Sequence, residues 1–137
     1  MVFEDEMTDK LLIYLGCPYS HPDRAVRVER FEKVTKVAAK LIEVGYHVYS
    51  PITHSHPMAE VGKLPGDWDF WEKQDRLFLS ISKAMFVLHL PGWSESKGLQ
   101  AEIKIADEMG IPIVHISEGA EHGRESEQLD LLAASKK

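Results

Sequence analysis

Two acidic residues, Glu102 and Asp75, are the first from which chemistry can be argued. Glu102 falls in the second turn of a predicted helix, among Leu99, Ile103 and Ala106 and close to the stripe that must meet a sheet. Asp75 lies at the edge of the apolar stripe of the preceding helix, formed by Phe70, Gln74, Leu77, Phe78 and Ile81. Ionised carboxylates are rarely buried unless paired, so each is either a solvated border position or a group directed into a cleft. Two carboxylates converging on one crevice suit glycosidic chemistry, in which one attacks or stabilises the sugar carbon while the other manages a proton.

Other residues can complete such a site. Ser96 is placed to cap the helix that carries Glu102, and Gly98 in its first turn admits close approach to the backbone. Together they would present free N–H groups at a positive helix end, suited to phosphate or carboxylate; the alternative is a plain cap and a packing glycine. Tyr14 stands near the end of a predicted strand, where its hydroxyl either orients a carboxylate or is satisfied within the core. Gly16 and Pro18 end that strand, and Tyr19, Ser20, His21 and Arg24 follow it. Arg24 offers a planar fork for phosphate, or is a solvated residue at a helix start. Trp68, Trp71 and Trp93 are either a stacking wall for a base or core aromatics. His54 and His56, in "THSHP", have no third ligand at sensible spacing, so no metal is assigned. Cys17 has no evident base partner and reads as a small buried residue. Neither a Walker-type loop nor GxGxxG follows the first strand, which counts against a kinase or a dinucleotide dehydrogenase, and no cofactor is expected.

The elements that must position these residues alternate. "LLIYLGCP" (11–18), "HVYSPI" (47–52), "AMFVLHL" (84–90) and "IPIVHI" (111–116) are apolar strand candidates. Helices are predicted over 23–44, 69–82 and 97–109, with a last one around 125–134. The stretch from Thr53 to Trp68, with Pro57, Gly62, Pro65 and Gly66, reads as a long loop, a lid or binding loop rather than a plain connector. Alternating strands and helices predict an α/β, doubly wound parallel sheet of four to five strands with helices on both faces. With strand order 2-1-3-4, the loops "GCPYSHPDR" and "PGWSESKG" meet at the switch point, where such folds place ligands.

Bulk properties narrow the partners. The 137 residues suit one domain, with 44% hydrophobic and 28% charged residues and a net charge of -6. No Lys and Arg run interleaves with aromatics, which excludes nucleic acid polymers as expected partners. A single cysteine builds no disulfide framework, and no apolar run approaches a bilayer's thickness, so a cytoplasmic protein without a membrane partner is expected.

The segments "IYLGCPYS" and "AMFVLHLPGWSESKGLQAEIKIADEMGIPIVHI", with Asp75 between them, resemble the nucleoside 2-deoxyribosyltransferase superfamily, which includes the 2'-deoxynucleoside 5'-monophosphate N-hydrolases. Within it the chain is similar to a branch of small bacterial domains of unknown function with "YxxGPY"-like starts, a central "FW" helix and a late "SxGxxxE". The resemblance covers roughly residues 10 to 116. It implies a flavodoxin-like fold with Glu102 as a nucleophile at C1' of deoxyribose, Asp75 as a supporting acid and Tyr14 orienting the carboxylate. Substrate contacts are expected from Gly16, Pro18, Tyr19 and Ser20 after the first strand, from Arg24, and from Trp93, Ser96 and Gly98 after the third. Ser96 stands where the transferases typically have Asp, which implies room for a 5'-phosphate. Two features depart from the family: Glu102 is followed by "IKIA", and "GCPYSHPD" lacks a second glycine. The expected activity is hydrolysis or transfer at the N-glycosidic bond of a (deoxy)nucleoside or its 5'-monophosphate, by a possible homo-oligomer. The alternative is a non-catalytic nucleotide-binding or sensing module on the same fold.

Overall fold

A computed structural model describes residues 12–120, together with His122 and Glu125. Four strands, β1 (Leu12–Gly16), β2 (His47–Tyr49), β3 (Ala84–Leu88) and β4 (Ile113–Ile116), form one parallel sheet in the order β2-β1-β3-β4. Ile13 pairs with Val48 on one side and with Ala84 on the other, and Phe86 pairs with Val114. The expected strand order and the doubly wound α/β class are therefore present. The helix expected over 125–134 lies outside the described residues, apart from Glu125.

Alternation along the buried strands sorts the core into two layers. Ile13, Leu15, Phe86 and Leu88 face Val34, Val37 and Leu41 of helix α1 (Arg24–Glu43). Tyr14, Met85 and Val87 face the opposite layer, where Leu79 of helix α3 (Trp68–Ser80) and Leu99, Ile105 and Ala106 of helix α4 (Lys97–Glu108) pack. Helix α1 starts where Asp23 caps it, its side chain accepting from Ala25 N–H, and ends before Gly45, whose φ of 113° suits glycine alone. β1 and β3 are neighbours at the centre of the sheet, and the helices that follow them, α1 and α4, pack on opposite faces.

Three expectations are corrected. The segment read as a loop from Thr53 onward is mostly helix α2 (Pro51–Gly62), and β2 stops at Tyr49 rather than Ile52. Ser50 is the cap, its hydroxyl accepting from Thr53 N–H at 3.2 Å, and Pro51 takes a first-turn position where its missing N–H costs nothing. Packing against α1 keeps the helix going through Pro57, with Thr53 and Thr35 hydroxyls 2.8 Å apart across the contact. Helix α3, in turn, buries only part of its apolar stripe, Phe78 packing on the core and stacking on Tyr49. Phe70, Leu77 and Ile81 are exposed, while Asp75 and Leu79 are buried, so the helix is turned about its axis to aim a carboxyl group inward.

Pro57 is exposed, lacks the N–H that would bond the Thr53 carbonyl and crowds that carbonyl. Pro57→Ala is therefore expected to raise stability by about 1 kcal/mol net of the unfolded-state entropy that proline removes. Chemical denaturation checks this; a lower midpoint would contradict a helix at this position.

Candidate active site

Glu102 is brought to the floor of the switch-point crevice by the period of α4. Leu99, Glu102, Ile105 and Ala106 form its buried face, and Ser96 fixes the helix start by accepting from Leu99 N–H at 3.3 Å. Ser96 also takes Gln100 N–H on its carbonyl, so the N–H groups of Lys97 and Gly98 are the first-turn donors left for a ligand. Gly16 lies close beneath α4: a Cβ there would be 2.8 Å from Met85 Cε and 3.0 Å from Leu99 Cδ1, so these side-chain ends would have to shift. From the adjacent position on β1, the Tyr14 hydroxyl donates to Glu102 Oε2.

Glu102 is 5% exposed and Asp75 6% exposed. Burial raises the Glu102 carboxyl well above the usual carboxylate range and the charge of Asp75 adds to this, while the Tyr14 hydrogen bond works the other way. Burial pushes Asp75 up to about 7. Its Oδ1 has no hydrogen-bond partner among the described residues. The Tyr14 phenol is also raised, by burial first and then by Glu102 and Asp75, so it remains a proton donor at every working pH. Two such carboxyl groups titrate as a pair, and a single proton between them relieves both burial and repulsion.

The cleft above this floor is walled by three elements. Tyr19 and Ser20 come from the β1-α1 loop, Ser96 and Gly98 from the start of α4, and Ser55 and His56 from α2; Trp68 and Trp71 of α3 close it. Arg30 of α1 ties the two switch-point loops together, donating to the carbonyls of Ser20 (3.1 Å), Tyr19 (3.3 Å) and Pro91 (3.1 Å). Gly92 makes room for it, since a Cβ there would meet Arg30 Nη2 at 2.8 Å and its φ is 89°.

Of the residues singled out from the sequence, Asp75, Glu102, Tyr19, Ser20, Ser96 and Gly98 line this cleft. Tyr14 supports it from beneath. Gly16 and Pro18 are buried, and Gly16 is occupied in packing. Arg24 is not a lining residue; it donates to Glu60 Oε1 from an exposed position on α1. Trp93 stacks on His89 with centroids 3.9 Å apart. Sequence reasoning missed Ser55 and the Tyr19–His56 contact because α2 was read as loop; the Ser50-Pro51 pair was the signal that could have revealed it. Cys17 also lines the cleft, and burial raises its thiol far above the range of a reactive cysteine. Among the described residues no three His, Cys, Asp or Glu side chains gather as a metal site. No helix among them is long and apolar enough to cross a membrane.

Residues 11–118 match the model of a family described as a domain of unknown function, DUF1937. The chain belongs to this family. No curated protein matches the sequence. Among solved structures, the DUF1937 chain is similar to a 2-deoxyribosyltransferase from the psychrotolerant bacterium Bacillus psychrosaccharolyticus, at 21% identity and a TM-score of 0.57 over 83% of this chain and 78% of that one. The DUF1937 chain thus has a deoxyribosyltransferase-like fold.

The raised carboxyl groups give the DUF1937 chain a stability that depends on pH. Asp75 binds its proton more tightly folded than unfolded, so its contribution is intact below about pH 4 and is lost as the pH rises through about 7. Glu102 acts in the same direction. Asp75→Asn is expected to add roughly 2 kcal/mol at pH 8 and little at pH 4. Melting curves across this range check it; a gain of equal size at both pH values would show that Asp75 is not protonated on folding.

Proposed function

We propose that this chain cleaves the N-glycosidic bond of a (deoxy)nucleoside, passing the sugar to water or to a second base, with Glu102 as nucleophile and Asp75 as the proton donor. The observation that carries this is the buried Tyr14–Glu102–Asp75 arrangement on the floor of a cleft at the switch point of the sheet. Similarity to a solved 2-deoxyribosyltransferase supports the same class of chemistry.

The hydrogen bonding around the two carboxyl groups supports this division of roles. Glu102 Oε2 accepts from Tyr14, which stabilises a carboxylate, whereas Asp75 Oδ1 has no partner among the described residues and favours the neutral acid. On this asymmetry of hydrogen bonding we assign the shared proton near neutral pH to Asp75, against the stronger upward push that burial exerts on Glu102. In the first step a Glu102 oxygen bonds to C1' as the C1'–N bond breaks through an oxocarbenium-like transition state. The bonding pair leaves with the base, which takes the Asp75 proton. In the second step water, or an incoming base, attacks C1'; Asp75 accepts the proton released and Glu102 departs as carboxylate. Trp68 and Trp71 offer apolar faces for a planar base, and the free N–H groups at the start of α4 suit a sugar hydroxyl.

No Lys or Arg is among the described residues that line the cleft. Arg24 is paired with Glu60, Arg27 donates to the carbonyls of His21 and Pro22, and Arg30 is held by three loop carbonyls. With Asp75 and Glu102 on the floor, an uncharged nucleoside suits the cleft better than its 5'-monophosphate.

Chromatographic detection of released base tests the assignment. Wild type is expected to release base from nucleosides faster than from their 5'-monophosphates, and Glu102→Ala to lose on the order of 10³-fold or more with the fold intact. Full activity in that variant would remove Glu102 as nucleophile. Tight nucleoside or nucleotide binding without turnover, equal in wild type and Glu102→Gln, would instead identify a binding module. The rate of the first step should fall as pH rises through about 7, where Asp75 loses its proton. A rate constant across pH 6 to 8 would assign the acid to another group.

A further inference from the structure

Two polar side chains in the cleft have no part in the chemistry above. Ser55 and His56 stand next to each other on α2 and are 9% and 7% exposed. Ser55 Oγ is buried and has no hydrogen-bond partner among the described residues. His56 Nδ1 lies 2.5 Å from the Tyr19 hydroxyl, and its ring stacks on Phe31 with centroids 4.5 Å apart. Two contacts therefore fix the plane and the rotation of the imidazole.

The direction of the Tyr19 hydrogen bond follows from its other neighbour. Arg27 acts on the Tyr19 hydroxyl through its charge and its N–H groups, and arginine only donates. The phenolic proton is thus left for His56 Nδ1. Burial keeps the imidazole neutral, with Arg24 and Arg27 adding to this against the opposing charge of Glu60. A neutral ring whose Nδ1 accepts must carry its proton on Nε2. The nearest carboxylate oxygen to that nitrogen, on Glu60, is 3.9 Å away, beyond hydrogen-bonding distance. His56, a residue of the cleft lining, therefore carries an oriented Nε2–H for which the described residues offer no acceptor, and Ser55, its neighbour on α2, brings to the same lining a buried hydroxyl that can donate or accept.

We propose that His56 Nε2–H and Ser55 Oγ form the subsite that reads the hydrogen-bonding edge of the nucleoside's base. The ligand class is a nucleoside whose planar heteroaromatic base presents an sp² acceptor to His56, beside a second polar group met by Ser55. This inference rests on the nucleoside reading above but not on turnover. A site built to donate a hydrogen bond discriminates strongly, because a base without the acceptor leaves the buried donor unpaired.

The test is binding of free purine and pyrimidine bases and their nucleosides, read by tryptophan fluorescence and calorimetry, on wild type, His56→Ala and Ser55→Ala. Wild type is expected to bind at least one base or nucleoside, with affinity about 10-fold weaker or more in His56→Ala and a smaller loss in Ser55→Ala. Absence of binding by wild type across the panel, or unchanged affinity in His56→Ala, overturns the subsite. Binding that depends on His56 without base release upholds the subsite and refutes the cleavage reaction; base release with unaltered kinetics in His56→Ala does the reverse. Should His56→Ala fail to fold, ¹⁵N NMR of the wild-type imidazole decides: a protonated Nε2 that shifts on adding a base is expected, and a protonated Nδ1 overturns the proposal.

Discussion

A carboxyl group loses most of its hydration when it is nine-tenths buried, and Glu102 and Asp75 both lose it in the same place. Around this shared burial the surrounding elements take their positions. Tyr14 must offer its hydroxyl from β1, which requires β1 to be central and its side chains to alternate with the right phase. Gly16, without a side chain, leaves Met85 and Leu99 undisturbed where α4 brings Glu102 over Tyr14. Helix α3 must turn its aspartate inward even though this leaves Phe70, Leu77 and Ile81 in water. Each of these costs stability locally, and together they produce a pair of groups whose proton affinities lie far from those of free carboxylates.

A second constraint acts at the rim. The loops after β1 and β3 diverge to opposite sides of the sheet, and nothing in the backbone of either fixes their separation. Arg30 does so from outside, its planar guanidinium spanning carbonyls on both loops. A lysine cannot replace it, since a single ammonium lacks the forked geometry that reaches three acceptors in two directions. Gly92, with its positive φ and open Cβ position, is the matching concession in the chain. The cleft is accordingly held open by a polar clamp above and by apolar packing below. Arg30 and Gly92 do this without lining the cleft.

Much of this was legible in the residues themselves. The four apolar runs marked the strands, Ser96 marked the start of α4, and the period of α4 placed Glu102 at the border of its buried face. Ser96 as cap was readable because a hydroxyl before an amphipathic run satisfies an N–H that the helix itself cannot. Helix α2 was not legible in the same way. Pro57 and Gly62 carry unfavourable intrinsic propensities, and the helix persists because its contact with α1 outweighs them. Ser55 and the contact of His56 with Tyr19 were lost with it.

What the sequence determined by itself is therefore the set of local structures whose stabilising contacts lie within a few residues, together with the alternation that demands a parallel sheet. Hydrophobic period, caps and turns are short-range properties and can be read along the chain. Only the tertiary structure decided which face of α3 turns inward, that Arg24 is engaged by Glu60 while Arg30 holds the loops, and that Tyr14 meets Glu102 across 88 intervening steps of sequence. Those outcomes follow from competition among elements for the same buried space. An amphipathic helix announces that it has an apolar face, but a buried carboxyl pair and its neighbours determine whether that face is the one the core receives.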